Sequence, residues 1–276
     1  MVGKFRLGST VTAALMTGVL VLLGGPGAQA AGDCGSEAFA HRGAHSATVD
    51  ENTLESIERA AQLGAWTEND VFLTKDGQFV IIHNQGIGFT TNCVGDVKTW
   101  LMADIKQQCH TTPNIQQVPT ANEAFATLAG NPGQVMNLEV KGPGWWANNN
   151  AKLAQLYDAA NNAGVAGRVY FSNDATYRLL TAMRAAAPNS KTAWKPDTTE
   201  PDFSTTHAHD LGVDAVMAVA RQWTSQKVTE FKNAGYQTWA KATDIQSTWL
   251  RNWKAGIKAQ LTNVPDQYKT WCNSVA

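Results

Sequence analysis

Short apolar runs rich in strand-forming residues alternate with amphipathic stretches of helical period along most of the chain, the pattern of repeated βα units wound on a parallel sheet. The runs predict strands at Ala38–His41, Trp66–Leu73, Gln134–Val140, Arg168–Phe171, Thr192–Trp194, Asp214–Val219, Gln237–Ala240 and Ala259–Leu261. Between them the apolar spacing predicts helices over Asn52–Leu63, Asn122–Leu128, Ala151–Ala163, Asp174–Ala187, Ser225–Ala234 and Ile245–Ala255. Gly64, Gly164 and Gly235 are placed to end three of these. Eight such strands fit one closed barrel, so the expected fold class is α/β, a (β/α)8 TIM barrel.

Two stretches break the alternation. The Asp76-Gly77 pair between Val71-Phe72-Leu73 and Phe79-Val80-Ile81-Ile82 is a tight-turn signal, so the second strand doubles back in a β-hairpin. Residues 85–119 are polar, carry Cys93 and Cys109, and have a brief helical pattern only near Trp100–Cys109; they are expected to form a small insertion over the barrel mouth.

The first thirty residues follow a different rule. Lys4 and Arg6 precede an apolar run from Val11 to Leu23, and Ala28-x-Ala30 closes the segment. The run is shorter than the ~20 residues that span a bilayer, so residues 1–30 read as a secretory signal peptide cleaved after Ala30, against the competing reading of an uncleaved anchor. Residues 31–276 then form a single domain of a secreted protein, with no transmembrane segment after cleavage. Export makes disulfides the expected state of Cys34, Cys93, Cys109 and Cys272. Of the three pairings, Cys93 with Cys109 and Cys34 with Cys272 is favoured; a zinc site is the competing reading, but no C-x-x-C pair or neighbouring Cys/His cluster supports it. The 22 Lys and Arg against 23 Asp and Glu provide no basic excess for a nucleic-acid backbone, so no nucleic-acid partner is expected.

Chemistry-bearing residues gather at the ends of the early strands, the face on which this architecture places its active sites. Glu68 and Asp70 are two apart on one strand and so share a face; Glu139, from the neighbouring strand, makes a third carboxylate, with Arg42 and Lys141 as nearby cations. A divalent cation, Ca²⁺ or Mg²⁺, relieves the repulsion of such a cluster. The competing reading is ion pairing among the same side chains without a metal. His41 and His83 end apolar strands beside these carboxylates, and two imidazoles there suit proton transfer in hydrolysis. His207-x-His209 is expected in a polar loop without a third ligand and reads as surface.

The order of these pieces resembles the glycerophosphodiester phosphodiesterase family, on Ala40-His41-Arg42-Gly43, Glu51-Asn52-Thr53, Glu68-Asn69-Asp70, Thr74-Lys75-Asp76-Gly77, His83 and Leu138-Glu139-Val140-Lys141. Weaker echoes run through Phe171-Ser172, Trp239 and Thr262-Asn263-Val264-Pro265. The resemblance implies that Glu68, Asp70 and Glu139 hold the divalent metal and that His41 and His83 are the acid–base pair. Arg42 and Lys141 would bind the substrate phosphate, with Glu51 and Asn52 in support. Two positions depart from the family: Asp50 stands where it usually has Pro, and Asn84 where it has Asp.

The implied function is a secreted metal-dependent hydrolase of small glycerophosphodiesters of the glycerophosphocholine or glycerophosphoethanolamine type. The attacking oxygen is either water or a hydroxyl of the substrate's own glycerol. Trp145 and Trp146, following Lys141-Gly142-Pro143-Gly144, and Trp239 are candidates for contact with a headgroup or a lipid, against the competing reading that Trp145 and Trp146 pack under their loop. Alternative readings are lysophospholipase D or sphingomyelinase D-like cleavage of a lipid phosphodiester, with transient contact to a lipid surface, and a barrel that binds phosphodiesters without cleaving them.

Overall fold

The computed structural model describes residues 34–142, 146, 149–174 and 177–276; the expected signal segment, and Trp145, lie outside the described residues. The first strand, β1 (Glu37–Ala40), shows how the layers arise. Side chains alternate across a strand, so Ala38 and Ala40 face outward and pack with Ala60 and Tyr268, while Phe39 faces inward and packs with Tyr170 and Trp239. The remaining strands repeat this division: β2 (Trp66–Leu73), β4 (Met136–Val140), β5 (Val169–Asn173), β6 (Lys191–Trp194), β7 (Ala215–Ala218), β8 (Gln237–Ala240) and β9 (Ala259–Thr262). Each lies parallel to its neighbours, and β1 pairs with both β9 and β2, which closes the eight into a barrel. β3 (Phe79–Ile81) returns antiparallel along the end of β2 as the expected hairpin.

Helices α1 (Leu54–Gln62), α3 (Ala121–Gly130), α4 (Asn150–Asn162), α5 (Arg178–Ala186), α6 (Thr205–Leu211), α7 (Ser225–Asn233), α8 (Gln246–Ala255) and α9 (Pro265–Val275) cover the outside, and α2 (Met102–Gln108) sits in the insertion. Capping sets several of their starts. Thr53 and Ser56 form a reciprocal capping box on α1, and Thr120 and Glu123 one on α3, each worth about 1 kcal/mol. α6 and α9 were not among the expected helices. α6 buries only Ala208, and α9 presents an apolar face of Tyr268 and Cys272 too sparse to register as periodic. His207-x-His209 therefore lies on a helix and not in a loop. His209 is exposed, but His207 is partly covered and packs on Trp194 with ring centroids 5.0 Å apart.

Residues 85–119 build a small core of their own, in which Ile87, Val97, Met102 and Ile105 join Phe72, Val80 and Ile82 of the hairpin. Cys93 and Cys109 are bonded within it. Two contacts dock it on the hairpin tip: the Lys75 amide donates to the Trp100 carbonyl at 2.9 Å, and the Met102 amide to Asp76 Oδ1 at 3.1 Å. The second disulfide, Cys34–Cys272, ties the chain ahead of β1 to α9. No helix among the described residues is long and apolar enough to cross a membrane.

Candidate active site

The strand period and the register between strands bring the acidic residues together. Glu68 and Asp70 share the inner face of β2, and Asp70 is the register partner of Glu139 on β4. One carboxylate oxygen from each of Glu68, Asp70 and Glu139 lies within 4.8 Å of the others, and all three residues are buried. Three carboxylates this close repel one another. Burial, with the Asp70 and Glu139 charges, pushes Glu68 well above the usual carboxylate range. Burial opposes ionisation at Glu139 too, yet the Lys195 and Lys141 ammoniums outweigh it and bring that pKa down to about 2. Asp70 Oδ1 is buried and accepts no hydrogen bond, lying 3.3 Å from Lys141 Nζ. Clustered oxygen donors with such a bare buried oxygen fit a hard divalent cation.

The residues around the cluster are held by strained but well-tied backbone. Arg42 and Asn52 both take positive φ, 58° and 56°, and the Asn52 amide donates to the Arg42 carbonyl at 2.8 Å. For arginine this conformation costs about 1–2 kcal/mol. Gly43 beside it leaves no choice of residue, since a Cβ there would come 2.1 Å from Ser56 Oγ. The Arg42 amide donates to Glu68 Oε2 at 2.9 Å, its Nη1 to both oxygens of Glu51 at 3.1 and 3.0 Å, and its Nη2 to His83 Nε2 at 2.9 Å. Asn52 Nδ2 donates to Asp70 Oδ2 at 3.0 Å.

Both imidazoles have defined tautomers when neutral. Asn263 uses its Nδ2 to donate to Asp244 Oδ2 at 2.8 Å, so its Oδ1, 2.8 Å from His41 Nδ1, accepts a proton from that nitrogen. The His41 Nε2 lone pair then faces the carboxylates, 4.0 Å from Glu68 Oε2. Burial lowers the His41 pKa, and the Arg42 charge adds to this against the opposing bond from Asn263. A guanidinium only donates, so His83 Nε2 is the acceptor from Arg42, and Nδ1 donates to Asn84 Oδ1 at 3.2 Å. Position 84, where the chain departs from the family pattern, thus touches the second imidazole.

Nine of the residues singled out in the sequence, His41, Arg42, Glu51, Asn52, Glu68, Asp70, His83, Glu139 and Lys141, are linked here through their own contacts. Two tryptophans are not part of the group. Trp239 is fully buried inside the barrel against Phe39, Trp66 and Tyr170, and Trp146 lies in the apolar layer with Val140 and Leu153. Neither indole is open to a headgroup or lipid, because each is enclosed by core side chains. Two residues that the reading of the sequence passed over, Lys195 and Asp244, belong to the site, and Asn263, quoted there only within a weak family echo, joins them. Lys195 directly follows a predicted apolar strand, the same signal that marked Lys141. Its ammonium contacts Glu139 Oε2 and lies 3.5 Å from Asp174 Oδ1.

Fold and site together define a TIM-barrel protein with a buried carboxylate cluster flanked by histidines and ammonium groups, the make-up of a phosphoester hydrolase. The profile of the glycerophosphoryl diester phosphodiesterase family matches residues 41–267, and the chain belongs to that family. It is 39% identical over 109 residues to a glycerophosphodiester phosphodiesterase of Caldanaerobacter subterraneus subsp. tengcongensis, a segment covering 37% of this chain and 44% of that one. With a Bacillus subtilis glycerophosphodiester phosphodiesterase it shares 44% identity over 69 residues, 25% of this chain and 23% of the relative. The matched segments thus span less than half the length of these curated relatives. Among solved structures, a glycerophosphodiester phosphodiesterase from Parabacteroides distasonis has the same fold at TM-score 0.74 and 17% identity, over 87% of this chain and 98% of that one. An Oleispira antarctica phosphodiesterase, solved with the product sn-glycerol-3-phosphate, matches at TM-score 0.71 and 25% identity, over 85% and 96% of the two chains.

Proposed function

We propose that the protein is an exported, metal-dependent hydrolase of glycerophosphodiesters. The observation that carries the reading is the convergence of one oxygen from each of Glu68, Asp70 and Glu139 within 4.8 Å, with His41 beside Glu68 and His83 beside Arg42. Glu68, Asp70 and Glu139 would hold Ca²⁺ or Mg²⁺, and the bound cation supplies neutralisation of charge at a phosphodiester oxygen. Arg42, whose Nη atoms here hold Glu51 and His83, would turn part of its guanidinium to the remaining phosphate oxygens, and Lys141 would add a point charge. One imidazole takes a proton from the attacking water or glycerol hydroxyl and the other delivers one to the departing alkoxide; His41 presents its Nε2 directly, whereas His83 Nε2 would first exchange the Arg42 Nη2 bond for the substrate. Glu51 and Asn52 hold Arg42 and Asp70 in place for this. The Oleispira phosphodiesterase with bound sn-glycerol-3-phosphate supports a small glycerol phosphodiester as substrate. The two disulfides suit an oxidising compartment, in keeping with removal of residues 1–30 on export.

One observation favours a lipid substrate as a second reading. Among the described residues the exposed large apolar side chains are Phe89, Val94, Leu101, Ile115, Tyr177 and Ile245. Four lie in the insertion, and the other two in loops that follow β5 and β8, the end of the barrel that carries the site. A lipid surface meeting this face would bring a lysophospholipid or sphingomyelin phosphodiester to the carboxylates.

Purified protein incubated with glycerophosphocholine or lysophosphatidylcholine, with and without EDTA, tests the reading. Metal-dependent release of glycerol 3-phosphate or choline from glycerophosphocholine is expected. Faster turnover of the lysolipid would favour the second reading, and no turnover of either would leave a barrel that binds without cleaving.

A further inference from the structure

Lys195 has no part in the acid–base chemistry just described, yet it is one of the most enclosed charges in the protein, with 4% of its side chain exposed. An ammonium taken out of water is costly unless it is well paired. Ala193, two residues earlier on the same face of β6, is small, as is its register partner Ala215 on β7, and this leaves the long stem room to reach across the barrel. The stem delivers the charge to Glu139. Lys141 Nζ holds Glu139 Oε1 at 2.5 Å from one side while Lys195 holds Oε2 from the other.

The charges around the carboxylates can be counted. Arg42 is balanced by Glu51, and Asp174 by Lys241, whose Nζ lies 3.3 Å away. With all three carboxylates ionised, as ligation of a cation requires, Glu68, Asp70 and Glu139 bring three negative charges and Lys141 and Lys195 return two, leaving one in excess. A divalent cation then turns the site to one net positive charge, which attracts a phosphodiester monoanion. Without Lys195 the loaded site would be neutral, and the unloaded site would hold a cation more tightly.

From this we infer that Lys195 is the residue that keeps the metal-loaded site positive, binding the substrate phosphodiester at the expense of metal affinity. The inference rests on the phosphodiesterase reading above. It predicts two responses of opposite sign to loss of one charge. A purely structural lysine would, on removal, weaken both kinds of binding through misplacement of Glu139.

The experiment uses binding alone, so that turnover is judged separately. In a His41→Ala background, Lys195→Met and Lys195→Gln remove the charge and Lys195→Arg retains it; thermal melts establish that each is folded. Calorimetric titration of the metal-stripped proteins with CaCl₂ or MgCl₂ should give a Kd at least ~10-fold lower for the Met and Gln forms. Titration of the metal-loaded proteins with glycerophosphocholine should give a Kd at least ~10-fold higher for the same forms, and the Arg form should follow its Lys parent in both. Unchanged or weakened metal binding, or unchanged diester binding, in a folded Met or Gln form overturns the inference. If the wild type binds diester but hydrolyses none, the hydrolase reading alone falls.

Discussion

Asn263 Oδ1 lies 2.8 Å from His41 Nδ1, and the same amide is clamped from behind by Asp244 Oδ2 at 2.8 Å. The clamp removes the freedom of the amide to flip, and with it the freedom of His41 to exchange tautomers. Asn263→Ala should lower kcat by ~10² or more with little change in KM, measured on glycerophosphocholine at saturating metal. Asp244 is itself held below the usual aspartate range; burial acts to raise it, but the bonds from Asn263 and Thr262 prevail. A carboxylate whose folded pKa is lowered stabilises the fold above its unfolded pKa and loses that contribution as pH falls through the folded one. The stability difference between wild type and Asp244→Asn should therefore shrink as pH drops below about 4. A difference that grows in acid would contradict the arrangement.

The two histidines meet the site through Nε2, so His41→Ala and His83→Ala should each cost ~10² or more in kcat while melting like the wild type. Wild-type rates in either variant would defeat the assignment of the pair.

Repulsion among the carboxylates has a consequence for stability. Glu68→Gln removes one of three crowded negative charges and keeps an oxygen for the Arg42 amide. In the presence of EDTA its Tm should rise relative to wild type, and added Ca²⁺ or Mg²⁺ should stabilise it less. Equal stabilisation of both proteins by metal would count against Glu68 as a ligand.

Asp50 joins the insertion to the site. Its carboxylate accepts from Thr111 Oγ1 at 2.6 Å, from the Asn114 amide at 3.0 Å and from Asn114 Nδ2 at 2.8 Å, and its own amide donates to Gln116 Oε1 at 2.7 Å. The next two residues hold Arg42 and Asp70. Asp50→Ala leaves buried donors unpaired and should cost about 1–3 kcal/mol in urea unfolding. KM should rise as the Arg42 support loosens.

Reduction should expose both disulfides in the stability curve. Cys93–Cys109 closes a loop with a sequence separation of 16, and Cys34–Cys272 one of 238. Breaking the shorter should cost about 3 kcal/mol and the longer somewhat more, read as a fall in the urea midpoint with dithiothreitol. Four reactive thiols per native chain would rule the bonds out.

Much of this protein was written locally. Because side chains alternate with period two along a strand, Glu68-x-Asp70 had to place two carboxylates on one face, and Ala38-Phe39-Ala40-His41 had to send Phe39 and His41 inward. The Asp76-Gly77 turn, the eight βα strands and the positions of His83 and Lys141 at strand ends were legible for the same reason. What was not legible joins distant positions. Lys195 reaches Glu139 across 56 residues of sequence, and Asn263 reaches His41 across 222. Trp146 and Trp239 resemble exposed aromatics until the layers close over them. Asp50 departs from the family pattern for a purpose that only the docked insertion reveals. Local periodicity fixes which face a side chain takes, whereas strand order, register and barrel closure decide what stands opposite it. Those depend on the packing of the whole chain at once.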